Sequence, residues 1–254
     1  MPHVRYATAA APARGGEHRN EDYVVAGPSW VALFDGASAP PGVPSGCAHD
    51  VRWLVRALAT GVAARMDGGE PLADVLAGAI ADVMARHAGT CDLSNPDSPS
   101  ATAALARLRG DRLDYLVLCD SAIGLRGRDG GVTVVRDDRL DHLPGGRPYS
   151  VELVSSLRNR PGGFWVASTC PSAAARALTG TVEAAGLSGV ALFTDGVTRL
   201  ADWYGRAWAD LVEGAREPEA LIAEVRRLER ERGPVSGKRH DDATAAWMSV
   251  SAVL

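Results

Sequence analysis

Lysine is almost missing from this chain: Lys238 is the only one among 27 basic residues. Arginine carries the rest, which we read as base-composition bias rather than a binding surface. The net charge of −4 removes the electrostatic case for nucleic acid or an anionic membrane as partner. Long apolar runs are missing too, and none approaches membrane-spanning length. Residues 1–16 lack the apolar core of a signal peptide, so a cytoplasmic location is expected. Cysteine is scarce. Cys47, Cys91, Cys119 and Cys170 are scattered with no Cys-x-x-Cys pair, which argues against a disulfide frame or a zinc site and for reduced thiols that mostly fill the core. Low-complexity segments and long linkers are absent as well. The 254 residues, 46% of them apolar, are therefore expected to form one large domain.

What is present centres on Val31-Ala32-Leu33-Phe34-Asp35-Gly36-Ala37-Ser38. A short apolar run bounded by a turn signal predicts a strand buried on both faces. The run delivers one carboxylate at its mouth, and the glycine after it lets a ligand approach the backbone. The pattern returns as Val190-Ala191-Leu192-Phe193-Thr194-Asp195-Gly196. Two such strands predict two carboxylates converging at one end of a buried sheet, a donor set suited to hard divalent cations.

Around these strands, residues 4–10 predict a first strand, and the polar cluster Glu17-His18-Arg19-Asn20-Glu21-Asp22 runs into another at Tyr23. Apolar residues at three- and four-residue steps predict helices over 46–66 and 71–88, broken apart by Gly68-Gly69. Hairpins are expected over 101–119, turning at Gly110-Asp111, and over 122–136, turning at Asp129-Gly130-Gly131. The segment 137–163 is turn-rich, with a short helix near 151–157. A strand at 164–167, a short helix at 171–178, helices over 203–214 and 217–232 and a last strand over 243–253 complete the pattern. Strands from the start, middle and end of the chain, with helix pairs before and after the hairpins, predict antiparallel sheets covered by helices on both outer faces.

Strand-end acids are numerous: Glu21, Asp22, Asp35, Asp120, Asp195, Asp241 and Asp242. Each alone reads as a cap or turn residue, as Asp129 does. Gathered together they repel and raise each other's pKa, and cations are what let them persist ionised. An all-oxygen set suits magnesium or manganese rather than zinc.

In order, Asn20-Glu21-Asp22, Phe34-Asp35-Gly36, Ser100-Ala101-Thr102-Ala103, Asp120-Ser121, Thr194-Asp195-Gly196 and Asp241-Asp242-Ala243-Thr244 resemble the motifs of the metal-dependent serine/threonine protein phosphatases of the 2C type (PPM), in a divergent, bacterial-looking form. The resemblance covers nearly the whole chain. It implies an α+β fold, a four-layer α/β/β/α sandwich of two antiparallel sheets flanked by helix pairs. It further implies a single domain over 1–254 with a flap at about 142–181 beside the site. Two Mn2+ or Mg2+ ions are implied, with a third, weaker one in bacterial members. By the resemblance Asp35 bridges two metals and the Gly36 carbonyl helps hold one. Asp195 and Asp241 complete the first, Glu21 or Asp22 serves the second through water, and Asp120 matches the acid for a third. The implied reaction is hydrolysis of phosphoserine or phosphothreonine by metal-activated water, with a phosphoprotein or a small phosphorylated molecule as substrate.

The chain also departs from the family. Ala37 stands where some members place a histidine suited to protonating the leaving group, and Glu17 where members place an arginine that grips phosphate. Arg14 or Arg19 is the available substitute for that grip, and His49, in Cys47-Ala48-His49-Asp50, for the proton donor; the plainer reading of that tetrapeptide is the first turn of a helix. Arg158-Asn159-Arg160 reads as a solvated face or an anion grip. The departures leave two alternatives: a metalloenzyme of the same fold turned to a small-molecule or biosynthetic substrate, and a non-catalytic binding module. The oligomeric state is not legible in the sequence.

Overall fold

The computed structural model describes residues 2–9, 20–146, 148–235 and 237–251. Ten strands form two five-stranded antiparallel sheets. One sheet joins β1 (His3–Ala9), β10 (Ala243–Ser249), β9 (Leu187–Phe193), β6 (Ala122–Gly127) and β7 (Val132–Arg136), in that order. The other joins β2 (Tyr23–Ala26), β3 (Trp30–Ala37), β4 (Ser100–Arg109), β5 (Arg112–Leu118) and β8 (Leu178–Glu183).

Side-chain alternation explains the four layers. In β3, Val31 and Leu33 point between the sheets, where they meet Ala104, Ile123, Leu192 and Met248. Ala32 and Phe34 point the other way, against Leu54 and Leu58 of α1 (Val51–Ala63) and Leu76 and Ile80 of α2 (Leu72–His87). In β9, Val190 and Leu192 face the sandwich while Ala191 and Phe193 face α4 (Asp195–Asp202), α5 (Trp208–Gly214) and α6 (Pro218–Arg232). Both central strands are thus buried on both faces, which is why they read as continuous apolar runs. The α+β sandwich expected from the sequence is the fold observed.

The differences are local and have physical causes. The first helix begins at Val51, not at residue 46, because Asp50 caps it: the Trp53 N–H donates to Asp50 Oδ1 at 2.8 Å. A helix starts at once at Asp195, where the sequence predicted only a strand end. The helix expected over 203–214 begins at Trp208, after a left-handed Gly205. Strand β8 was not expected. It is an edge strand with a half-exposed pattern, and residues 178–183 pair with β5. Residues 164–167 make only isolated bridges, Phe164 to Arg158 and Ala167 to Ala101. Val154 and Leu157 of α3 (Val151–Leu157) pack against a small buried cluster of Cys119, Leu143, Phe164 and Val166. Asp129 is a turn residue, its Oδ1 accepting the Gly131 N–H at 2.9 Å. Among the described residues, no helix is long and apolar enough to cross a membrane.

Candidate metal centre

Five segments bring acids to one mouth of the sandwich. Asp22 enters just before β2, and Asp35 lies near the end of β3. Asp120 occupies the turn between β5 and β6, Asp195 opens α4 directly after β9, and Asp241 precedes β10. The two Asp-Gly glycines are required by close backbone approach rather than by turn geometry. A Cβ on Gly36 would lie 2.6 Å from the Glu21 carbonyl oxygen, and one on Gly196 only 1.9 Å from that of Asp242. Each glycine therefore lets one acidic motif lie against the backbone of another.

Asp22 is buried, and its Oδ2 accepts hydrogen bonds from Thr194 Oγ1 at 3.0 Å and Thr244 Oγ1 at 2.7 Å. Its Oδ1 is also buried and has no hydrogen-bond partner. Burial, offset in part by the Thr244 bond and reinforced by the charges of Asp242 and Asp195, pushes Asp22 up to about 8. Asp35 lies well above the carboxylate range, through burial first and then the charges of Asp22, Asp195, Asp120 and Asp241. Asp195 is pushed up to about 7 by burial and by Asp120 and Asp241, with Arg199 opposing. Burial also raises Asp120, which follows Cys119, a non-glycine residue in the left-handed region at φ 65°.

Asp241 is held from one side. Arg199 Nη2 donates to its Oδ2 at 2.7 Å and Lys238 Nζ to its Oδ1 at 3.3 Å. Arg199 also donates to the fully buried Glu229 at 3.0 Å, and Glu229 further pairs with Arg226 and His240. Glu21 donates its N–H to Asp242 Oδ2 at 2.7 Å, while its carboxylate accepts from Ser38 Oγ at 2.9 Å. Over the acids opens a cleft of about 960 Å³ lined by Asp120, Asp195, Asp241, Arg136, Arg199 and Lys238 among others.

These residues fit a hard-cation centre. The donors are all oxygens, several are held away from ionisation by burial and mutual repulsion, and Asp22 Oδ1 is buried without a partner. Divalent cations are what such a set lacks. The structure thus gathers Asp22, Asp35, Asp120, Asp195 and Asp241, with Glu21 and Gly36 alongside. Arg14, Arg19 and Glu17 lie outside the described residues.

His49, the substitute proton donor expected from the sequence, has its Nδ1 3.4 Å from Cys91 Sγ and its ring stacked on Trp53 at 4.1 Å. Two thiols are a correction: Cys47 and Cys91 are not scattered but lie 3.3 Å apart. Sequence reasoning missed Arg199, Glu229, Thr194 and Thr244 as supports of the acids. The hydroxyls carried a signal, each standing one residue from a motif acid or within a motif. Arg199 and Glu229 carried none, since they meet the site only through the packing of α4 on α6.

The family model for protein phosphatase 2C matches residues 14–230. Among curated proteins there is no significant sequence match. Similar solved structures include the Mycobacterium tuberculosis serine/threonine phosphatase PstP/Ppp, at 19% identity and TM-score 0.62 over 98% of this chain and 99% of that one. The catalytic domain of PstP in complex with 2 manganese ions aligns at 20% identity and TM-score 0.59, over 98% and 99% of the two chains. Serine/threonine phosphatase Stp1 from Staphylococcus aureus aligns at 12% identity and TM-score 0.59, over 99% and 96%. At these identities the likeness is one of fold, and the matched family model carries the assignment: the chain belongs to the protein phosphatase 2C family, whose members are metal-dependent phosphatases.

Proposed function

We propose that this protein is a Mn2+- or Mg2+-dependent phosphatase of phosphoserine and phosphothreonine in proteins. The observation that carries this reading is the convergence of Asp22, Asp35, Asp120, Asp195 and Asp241 on one mouth, with the carboxyls of Asp22, Asp35, Asp120 and Asp195 raised by burial and an unpartnered Asp22 oxygen.

In this reading Asp35, Asp195 and Asp241 hold one ion, Asp35 and the Gly36 carbonyl with Glu21 or Asp22 a second, and Asp120 a third. When bound, divalent cations supply the Lewis acidity that ionises water near neutral pH and neutralises phosphoryl oxygens. The chain's own part is orientation and charge. Thr194 and Thr244 fix one oxygen of Asp22 and leave the other directed away from protein donors. Arg199, anchored on Glu229, fixes the face that Asp241 presents. Lys238, paired with Asp241, and Arg136, paired with Asp202, stand on the cleft wall beside the acids. The cleft is open rather than enclosed, which suits a phosphorylated side chain on a polypeptide. Residues 142–177 act as the flap beside it, with His142 on the cleft wall.

The test is phosphate release from phosphothreonine and phosphoserine peptides, compared with a small aryl phosphate, with Mn2+, with Mg2+ and with chelator. The expected result is metal-dependent release with higher kcat/KM for the peptides. Release confined to the small phosphoester would assign the fold to a small-molecule substrate, and no release with either metal would remove the catalytic reading.

A further inference from the structure

A second cluster lies away from the acid mouth, in the outer helix layer. The loop before α1 carries Cys47 and His49, and the end of α2 with its following turn carries His87 and Cys91. Among the described residues these four form a group whose ligand atoms all lie within 4.8 Å of one another. We propose that Cys47, His49, His87 and Cys91 form a zinc site of the Cys2His2 type, separate from the acid centre.

Four of the six edges lie within about 0.5 Å of those of a zinc tetrahedron. Zinc with bonds of about 2.3 Å to sulfur and 2.0–2.1 Å to nitrogen needs S···S edges of about 3.8 Å and S···N edges of about 3.5 Å. The observed separations are 3.3 Å between the two Sγ atoms, 3.4 Å from Cys47 Sγ to His87 Nδ1, 3.4 Å from Cys91 Sγ to His49 Nδ1 and 3.9 Å from Cys47 Sγ to His49 Nδ1. Both imidazoles turn Nδ1 toward the thiols. Two thiolates balance the charge of one Zn2+, so the site is neutral when filled.

The surroundings are those of a thiolate site. The Ala48 N–H donates to Cys91 Sγ at 3.3 Å and the His49 N–H to Cys47 Sγ at 3.4 Å. Trp53 closes one side, stacked on His49 at 4.1 Å and edge-on to His87 at 4.4 Å. His87 is buried, with no hydrogen-bond partner for Nε2. Oriented ligands with an apolar screen are the usual setting of a metal held for structure.

The backbone is shaped to present the ligands. Gly89, at φ +84°, turns the chain after α2 so that the Cys91 N–H donates to the His87 carbonyl at 3.2 Å. That stacks His87 and Cys91 on one side. The opposing loops are tied by the Asp92 N–H to the Gly46 carbonyl at 2.8 Å and by Asn95 Nδ2 to the Pro44 carbonyl at 3.1 Å. An ion here clamps the start of α1 to the end of α2. The first residue of α1, Val51, packs on Gly36, where a Cβ would come within 2.8 Å of Val51 Cγ2.

The experiment is metal analysis of protein purified without chelator, with a chromophoric zinc competitor titrated against metal-stripped protein. Wild type is expected to carry one zinc per chain, and the Cys47→Ser/Cys91→Ser double variant none. The Asp35→Asn variant is expected to keep its zinc, which separates this site from the acid centre and makes the result independent of phosphatase activity. Cobalt in place of zinc is expected to give the intense visible bands of a tetrahedral thiolate site, absent from the double variant. Zinc loss is expected to lower Tm by about 5 °C or more. If the double variant does not fold, the titration and the cobalt spectrum of wild type decide alone. Wild type that neither carries zinc nor takes it up, zinc retained in full by a folded double variant, or a Cys47–Cys91 disulfide persisting with zinc in excess would each overturn the proposal.

Discussion

The acid mouth and the thiol–imidazole cluster are both gatherings of metal-binding side chains, yet they are built differently. The mouth draws on five segments and places its donors at the ends of strands buried on both faces. Its carboxylates crowd together, some with raised pKa values, and Arg199 and Lys238 brace one of them. The cluster draws on two segments, the lead-in to α1 and the exit from α2, and its four donors lie within 4.8 Å of one another with amides directed at the sulfurs. The mouth is left open to a cleft and in need of charge, as a site for exchange with solvent and substrate must be. The cluster is closed on itself, as a structural site is.

The largest effect that sharpens this contrast is on the backbone beneath the mouth. Gly196→Ala forces a Cβ against the Asp242 carbonyl and is expected to cost about 3 kcal/mol or more of stability. Gly89→Ala beside the cluster meets no neighbouring atom and strains only its positive φ, so it is expected to cost about 1 kcal/mol. Chemical denaturation of the two variants checks the difference; equal losses would mean the Asp-Gly at 195–196 is an ordinary turn.

Next come the hydroxyls. Thr194→Val and Thr244→Val remove donors to Asp22 and are expected to lower Mn2+ affinity or phosphate release about 10–100-fold, as loss of a ligand's supporting hydrogen bond does elsewhere. Zinc content is expected to stay unchanged in both. Titration calorimetry with Mn2+ reads the first effect and metal analysis the second.

A smaller effect concerns pH. The folded-state values of Asp22, about 8, and Asp195, about 7, lie above the unfolded value of about 3.9. Between those limits the folded, metal-free protein holds more protons than the unfolded chain, so these groups make stability fall as pH rises from about 4 to 8. The expected outcome is a Tm of chelator-treated protein that declines over this window, a shallower decline in Asp22→Asn, and a higher Tm for that variant at pH 8. Added Mn2+ is expected to remove most of the decline. A steeper decline in Asp22→Asn would show that Asp22 is ionised without metal. Least of all, Asp120→Ala is expected to leave two ions bound while slowing turnover several-fold; unchanged stoichiometry, affinity and turnover would make Asp120 a strand-end residue only.

The same contrast explains what was legible in the sequence. The mouth could be read because each acid sits beside a local signal: an apolar run before Asp35 and Asp195, a hairpin end before Asp120, the opening of an alternating strand after Asp241. The burial of both faces of β3 and β9 made those runs conspicuous. Strand β8 was not legible, since its exposed alternation around Gly180 leans on Tyr115, whose hydroxyl oxygen would lie 2.1 Å from a Cβ at that glycine. Nor was α4, because an Asp-Gly after a strand reads as a turn unless the close approach of Asp242 is known. The cluster carried its signal in two short spacings, Cys47-x-His49 and His87-x-x-x-Cys91, but no rule joins them across two helices before α1 and α2 are known to be antiparallel neighbours. Cysteines judged by their spacing to one another looked scattered for that reason. His49, read as a substitute proton donor, stacks on Trp53 and turns its Nδ1 toward the thiols.

The most direct test is Mn2+-dependent phosphate release from a phosphothreonine peptide by wild type and by Asp35→Asn, with Tm and zinc content measured on the same samples. The account predicts release by wild type that chelator abolishes, and loss of nearly all of it in Asp35→Asn, because the carboxylate assigned to both ions loses its charge. It predicts equal zinc in the two proteins and a metal-free Tm no lower in the variant. Asp35→Asn retaining most of the wild-type release would contradict it.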